Sequence, residues 1–237
     1  VSTHREKFVE KIIGLMGAMP DEIAPLAARM EDRTEETVGG VTFTSGRLGG
    51  KKVVLCCAGM GKAQAAAAVQ LLATYFHVSA VVFSGIAGNM SGRVGLGDII
   101  VGDVVVYHDG EPRMFAETYP HLQTFRCDAR MIAAALDACD ACGVKAEPGT
   151  IATGDCFVGD SATKQAIEDK CAPDCVEMEG AAVAHISAKN DLPCVILRAM
   201  SDYADEKGFE ELVVKQFDVG EYCETAARVS AALIERL

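Results

Sequence analysis

Six short apolar runs, nearly unbroken by polar residues, constrain this chain more than any other feature: Lys11–Met16, Val53–Ala58, Ala80–Ser84, Ile99–Val106, Cys175–Met178 and Val195–Ala199. An alternating pattern would suit a sheet with one wet face. Continuous runs of this length suit strands covered on both faces. Helix-like stretches separate them: Pro20–Arg33, Lys62–Phe76, Asp128–Cys142, Ser161–Lys170, Gly180–Asn190 and a last one ending near Leu237. Asp128 suits a helix N-cap, and Gly143 stands where a helix-ending glycine belongs. The alternation predicts an α/β fold with a central twisted, mixed β-sheet flanked by helices. No composition shift, low-complexity tract or long repeat interrupts it, so residues 1–237 read as one domain.

Composition narrows the function classes. Half the residues are hydrophobic, enough for a sizeable core. The 34 acidic residues outnumber the 22 basic ones, for a net charge of −12, which makes nucleic acid and anionic lipid poor partners. No apolar stretch approaches the ~20 residues of a membrane-spanning helix, and the charged start, Val1–Lys11, lacks a signal-peptide pattern. The ten cysteines fall mostly in periodic segments and read as small buried hydrophobes in a reducing cytoplasm. Cys139-Asp-Ala-Cys142 has the spacing of half a zinc site, but no second pair accompanies it.

Candidate chemistry gathers where strands end. Gly59-Met60-Gly61-Lys62 follows one strand and opens a helix, yet it lacks the glycine and hydroxyl of a nucleotide-phosphate loop. Ser84-Gly85-Ile86-Ala87-Gly88 follows another strand and reads as a second turn. A tight strand-to-helix connection explains either; two of them place backbone N–H groups at the strand ends where open α/β sheets bind ligands. Tyr107–Gln123, with two histidines and two prolines, reads as a long loop: a lid, an interface or a solvated excursion.

Acidic residues at strand ends carry more information. Asp21 and Glu22 follow Pro20, which by itself is ordinary helix-start grammar. Glu177 and Glu179 bracket Met178, on the same side if alternation holds, so a ligand, water or cation must separate them. Asp202 closes a third run, after Arg198 and Ser201.

In order along the chain, Gly17-Ala18-Met19-x-x-Glu22, Ser84–Gly88, Gly154-Asp155-x-Phe157, Val176-Glu177-Met178-Glu179 and Arg198-Ala199-x-Ser201-Asp202 resemble the 5′-methylthioadenosine/S-adenosylhomocysteine nucleosidases of the purine nucleoside phosphorylase superfamily. The resemblance spans roughly residues 11 to 235. It implies cleavage of the N-glycosidic bond of an adenine nucleoside. Asp202 would be the general acid that protonates the departing base, oriented by Ser201, and Glu22 would activate the attacking water. It further implies that Glu179, beside Glu177, holds the ribose hydroxyls and that Met178 lies against the sugar. Phe157 would stack on adenine while the Val158 backbone reads its edge. Met60 and Phe209 would line the alkylthio pocket, with Ile86, Ala87 and Gly88 close to sugar and water. No metal, flavin or nucleotide cofactor is implied, because proton transfer and electrostatics suffice for this cleavage.

Four positions depart from the family pattern. Ile86 cannot hydrogen-bond water as a hydroxyl residue would, Asn89 replaces a glycine, and Pro20 and Asp21 replace acids. Hydrolysis is favoured over phosphorolysis, because neither glycine turn contains an arginine and Ile86 is apolar where phosphate would lie. A phosphorylase, a hydrolase of another adenine nucleoside such as aminodeoxyfutalosine, and a non-catalytic nucleoside-binding module remain the alternatives. The resemblance also implies a homodimer paired through Tyr107–Pro120.

Overall fold

The computed structural model describes residues 10–216 and 218–237; most of the charged start, residues 1–9, lies outside them. Ten strands form one mixed sheet. The expected runs become β1 (Ile12–Gly17), β4 (Lys51–Cys57), β5 (Ala80–Asn89), β6 (Ile99–Tyr107), β9 (Cys175–Glu177) and β10 (Cys194–Asp202). In β1, β4, β5 and β10 successive side chains enter opposite apolar cores. Met16, Cys56, Phe83 and Ile196 pack on one face, and Leu15, Leu55, Val82 and Val195 on the other. Two apolar faces on a period of two give a continuous run.

Helices α2 (Lys62–Thr74) and α6 (Gly180–Lys189) cover the first face. Helices α1 (Pro20–Ala28), α4 (Ala129–Ala141) and α8 (Gly220–Arg236) cover the second. Asp128 caps α4 as expected, accepting from the N–H groups of Arg130 and Met131. Helix α5 is Ser161–Cys171.

With β2 (Glu31–Val38), β3 (Val41–Leu48) and β8 (Ala146–Thr153), the strand order is β10-β6-β8-β9-β5-β1-β4-β3-β2, and β10 also pairs with β5 in parallel. Strands β5, β10, β6, β8 and β9 therefore close a ring, in which Gly88 pairs with both Asp202 and Val176. That closure brings the ends of three strands to one place.

Three expectations need correction. The helix expected over Pro20–Arg33 stops at Ala28, and Glu31–Val38 is strand β2, paired with β3 (Val41–Leu48). Nearly every β2 side chain is exposed, so its sequence carries no apolar signal. Strand β8 (Ala146–Thr153) is not among the expected runs; it contains Pro148 and Gly149, and a Cβ on Gly149 would lie 2.5 Å from Asp174 Oδ2, so that glycine serves packing rather than a turn. Ser84–Gly88 is no turn but the last half of β5, kept in the sheet by pairing with β10. Tyr107–Gln123 is not a plain loop: it holds α3 (Pro112–Glu117), and Phe115 stacks on Tyr107 with ring centroids 4.7 Å apart. A two-residue strand, β7 (Phe125–Arg126), pairs with β6.

Candidate active site

A cavity of about 150 Å³ opens at the C-terminal ends of β1, β5 and β10. Every site residue expected from sequence lines it, save Phe209. The Phe209 ring instead packs beside Phe157, centroids 5.9 Å apart, and Leu212 takes the wall position. Ala18, Met19, Cys156 and Val176 also line the cavity and were not singled out by sequence.

Glu22 sits in the first turn of α1 and folds back on the helix start. Its Oε2 accepts from the N–H groups of Ala18 (2.6 Å) and Met19 (3.0 Å), and its Oε1 from that of Ile86 (3.1 Å). The carboxyl thus caps its own helix and also faces the cavity. Glu22 is buried, and desolvation lifts its pKa above the ordinary carboxylate range despite the nearby Arg198 charge and three backbone donors.

Asp202 ends β10 across the cavity. Ser201 Oγ donates to its Oδ2 at 2.8 Å, and the Ala204 N–H donates to its Oδ1 at 2.7 Å. Burial raises its pKa and outweighs both bonds. Glu22 is tied to Ile86, and Asp202 lies over Gly88. Those contact points are two residues apart on β5, roughly 7 Å.

Beside Glu22 lies a fully buried arginine whose role sequence reasoning missed, although its position lies inside a quoted motif. Arg198 Nη2 donates to Glu177 Oε2 at 2.5 Å and lies 3.6 Å from Glu179 Oε2. Its guanidinium stacks 4.0 Å from the Phe83 ring centroid. Of the three separators the Glu177–Glu179 spacing leaves open (ligand, water or cation), this is a cation. Glu177 is saturated: Oε1 accepts from Thr153 Oγ1, and Oε2 also accepts from the N–H groups of Glu179 and Gly180. Glu179 keeps an oxygen for the cavity, because among the described residues its carboxylate accepts only from the Gly61 N–H, at 2.8 Å. Burial, then the Glu177 charge, push its pKa up to about 7 against the pull of Arg198.

Among the described residues, Arg198 Nη1 and Nε have no hydrogen-bond partner. A Cβ on Gly85 would collide with Nη1 and lie 2.5 Å from Glu22 Oε1, so that glycine lets the guanidinium and the carboxyl converge. At the mouth, Gly59 and Gly61 hold φ of 89° and 94°, which a side chain would oppose. Asn89, noted in the sequence as a replaced glycine, is buried; its side chain donates to Val94 O (2.7 Å) and accepts from the Gly92 N–H (3.1 Å), pinning the loop after β5.

The family model of the phosphorylase superfamily matches residues 12–237. A 5′-methylthioadenosine/S-adenosylhomocysteine nucleosidase from Geobacillus thermodenitrificans is 36% identical over 226 residues, 93% of either chain. The crystal structure of the same kind of nucleosidase from Neisseria meningitidis, in complex with methylthio-immucillin-A, is 30% identical with a TM-score of 0.89, covering 96% of this chain and 100% of that one. The native structure of futalosine hydrolase of Helicobacter pylori reaches 0.87 at 28% identity, covering 96% and 98%. A superfamily of nucleoside-cleaving α/β proteins is thereby defined by fold and matched length. Within it, the chain belongs to the 5′-methylthioadenosine/S-adenosylhomocysteine nucleosidase family of N-glycosyl hydrolases.

Proposed function

We propose that this protein hydrolyses the N-glycosidic bond of 5′-methylthioadenosine and S-adenosylhomocysteine, releasing adenine and the thio-sugar. One observation carries the reading: two buried carboxyls with raised pKa, Glu22 and Asp202, face one cavity from different strand ends. An adenine anion is a poor leaving group. Asp202, whose pKa burial raises and which Ser201 aims, is the group that donates a proton to the five-membered ring of the base as the bond breaks. Positive charge grows on the ribose, where Glu179 accepts from the hydroxyls and Met178 packs against the ring. Glu22 takes the proton of a water approaching from the other side. Three of its four lone-pair directions are filled by backbone donors, and the fourth, beside Arg198 Nη1, remains for that water. Phe157 and Val158 hold the base, and Met60 and Leu212 meet the thioether end.

Phosphorolysis fits poorly. Glu22, Glu177 and Glu179 surround the single guanidinium of Arg198, so an incoming phosphate dianion meets a surplus of negative charge. Lys62 and Arg93, the cations near the glycine segments, are engaged by Asp109 and Asp155 and by Asp174 and Glu147. A second reading, a hydrolase of a futalosine-type nucleoside, draws on the likeness to the Helicobacter pylori enzyme. The test is adenine release from methylthioadenosine, S-adenosylhomocysteine and aminodeoxyfutalosine, with and without phosphate. Phosphate-independent release from the thio-nucleosides is expected. Release that needs phosphate and yields a sugar 1-phosphate overturns hydrolysis, and purine binding without release leaves a binding module.

The protein works as a homodimer in this proposal, paired through Tyr107–Pro120, where Met114 and Tyr119 are half exposed; a monomer by light scattering at micromolar concentration would remove the claim. A reducing, cytoplasmic setting agrees with its ten free cysteines. Among the described residues no helix is long and apolar enough to cross a membrane.

A further inference from the structure

Helix α2 opens with a lysine and has no acid in its first turn. A cation there opposes the helix dipole, so Lys62 does nothing for the helix it begins. Its surroundings supply a different reason. Lys62 Nζ lies 2.6 Å from Asp109 Oδ2 at the end of β6 and 3.3 Å from Asp155 Oδ2, and its backbone N–H donates to Asp155 Oδ1 at 2.9 Å. Asp109 Oδ2 also accepts from the Asp155 N–H at 3.0 Å. The next residue back, Gly61, donates to Glu179.

We infer that Lys62, with Asp109, is a positioning residue that fixes segment 154–158, and with it Phe157 and Val158, relative to Glu179. The ammonium stands between two carboxylates, one on the strand end and one on the segment itself. Without it Asp109 and Asp155 face each other with only the amide bonds between them, and the segment moves outward. Neither lysine nor Asp109 lines the cavity, so the effect falls on holding the base rather than on breaking its bond. The purine consequence rests on the nucleosidase reading; the tether itself does not.

The experiment compares wild type, Lys62→Met, and Lys62→Met with Asp155→Asn. The double variant removes the carboxylate repulsion while its amide oxygen still accepts the backbone N–H. Amide hydrogen exchange over residues 154–159 in the free protein, thermal unfolding, and kcat and KM for methylthioadenosine are measured. Lys62→Met is expected to speed exchange in that segment, leave Tm unchanged and raise KM about fivefold with kcat little altered. The double variant is expected to return KM to within about twofold of wild type. Unchanged exchange, an unchanged KM, a fall in kcat matching the rise in KM, or no recovery in the double variant each overturns the inference. A wild type that releases no adenine defeats the nucleosidase reading instead, while exchange still decides the tether.

Discussion

Ser201 Oγ donates to Asp202 Oδ2 at 2.8 Å while its other acceptor, Ala87 O, is 3.3 Å away, so the hydroxyl hydrogen belongs to the carboxyl. With Oδ1 taken by the Ala204 N–H, the acid cannot rotate. Asp202→Asn keeps that geometry and loses the proton, and should lower kcat by about 10²–10⁴ while adenine still binds. Glu22→Gln should cost as much in kcat, and about 1–3 kcal/mol in stability, because the amide nitrogen cannot accept the backbone N–H that one carboxyl oxygen holds. Steady-state rates with calorimetric adenine binding check both, and wild-type turnover in either variant would end its assignment.

The pH dependence follows from the same pair. Glu22 must be ionised and Asp202 protonated, and burial raises the pKa of each. kcat/KM therefore climbs as Glu22 loses its proton and falls as Asp202 loses its own. A profile flat from about pH 5 to 9 would remove the acid–base roles.

Glu179 predicts a stability trend. It titrates near 4.5 when free and about 7 when folded. Between those values the native state holds a proton that the unfolded chain has released. Its contribution is complete below pH 4.5 and is lost as pH rises through about 7. Glu179→Gln has no such loss. Against wild type, its melting temperature should gain roughly 7–14 °C on going from pH 4 to pH 8. Parallel curves for the two proteins would contradict this.

Arg198 cannot be removed alone. Arg198→Met leaves Glu177 and Glu179 buried without a cation, at a cost of about 3–5 kcal/mol, and adding Glu177→Gln should recover a large part of it. Denaturant melts of the single and double variants test this pairing. No recovery would mean that the loss is of packing against Phe83 rather than of charge.

Gly85→Ala should be damaging even though alanine is a modest change. The new methyl meets Arg198 Nη1 and the Glu22 carboxyl, and those groups have no room to give. Destabilisation of about 1–3 kcal/mol is expected, with loss of adenine release, because the water-activating end is displaced. Near-normal activity in this variant would show that the two groups need not converge.

The sequence made the core strands plain because both faces of β1, β4, β5 and β10 are buried, and a two-sided core writes itself as an apolar run. It hid β2, whose residues face water, and β8, whose Pro148 and Gly149 imitate a turn. The cavity was legible because its acids stand at the ends of those same runs. Arg198 was not, because an arginine inside an apolar strand looks like an interruption until its carboxylates, 19 and 21 residues upstream, are seen around it. Phe209 was misplaced because a short helix, Glu206–Phe209, and the π-helical turn Glu210–Val214 rotate Leu212 inward in its stead.

Strand β2 ends the sheet, and among the described residues it is paired on one side only. An open edge is a template on which another chain can add a strand. Here that edge carries Glu31, Asp32, Glu35 and Glu36 in six residues. Two copies approaching edge to edge would bring eight carboxylates together against only the two copies of Arg33, so the strand that contributes least to the core opposes polymerisation through the sheets.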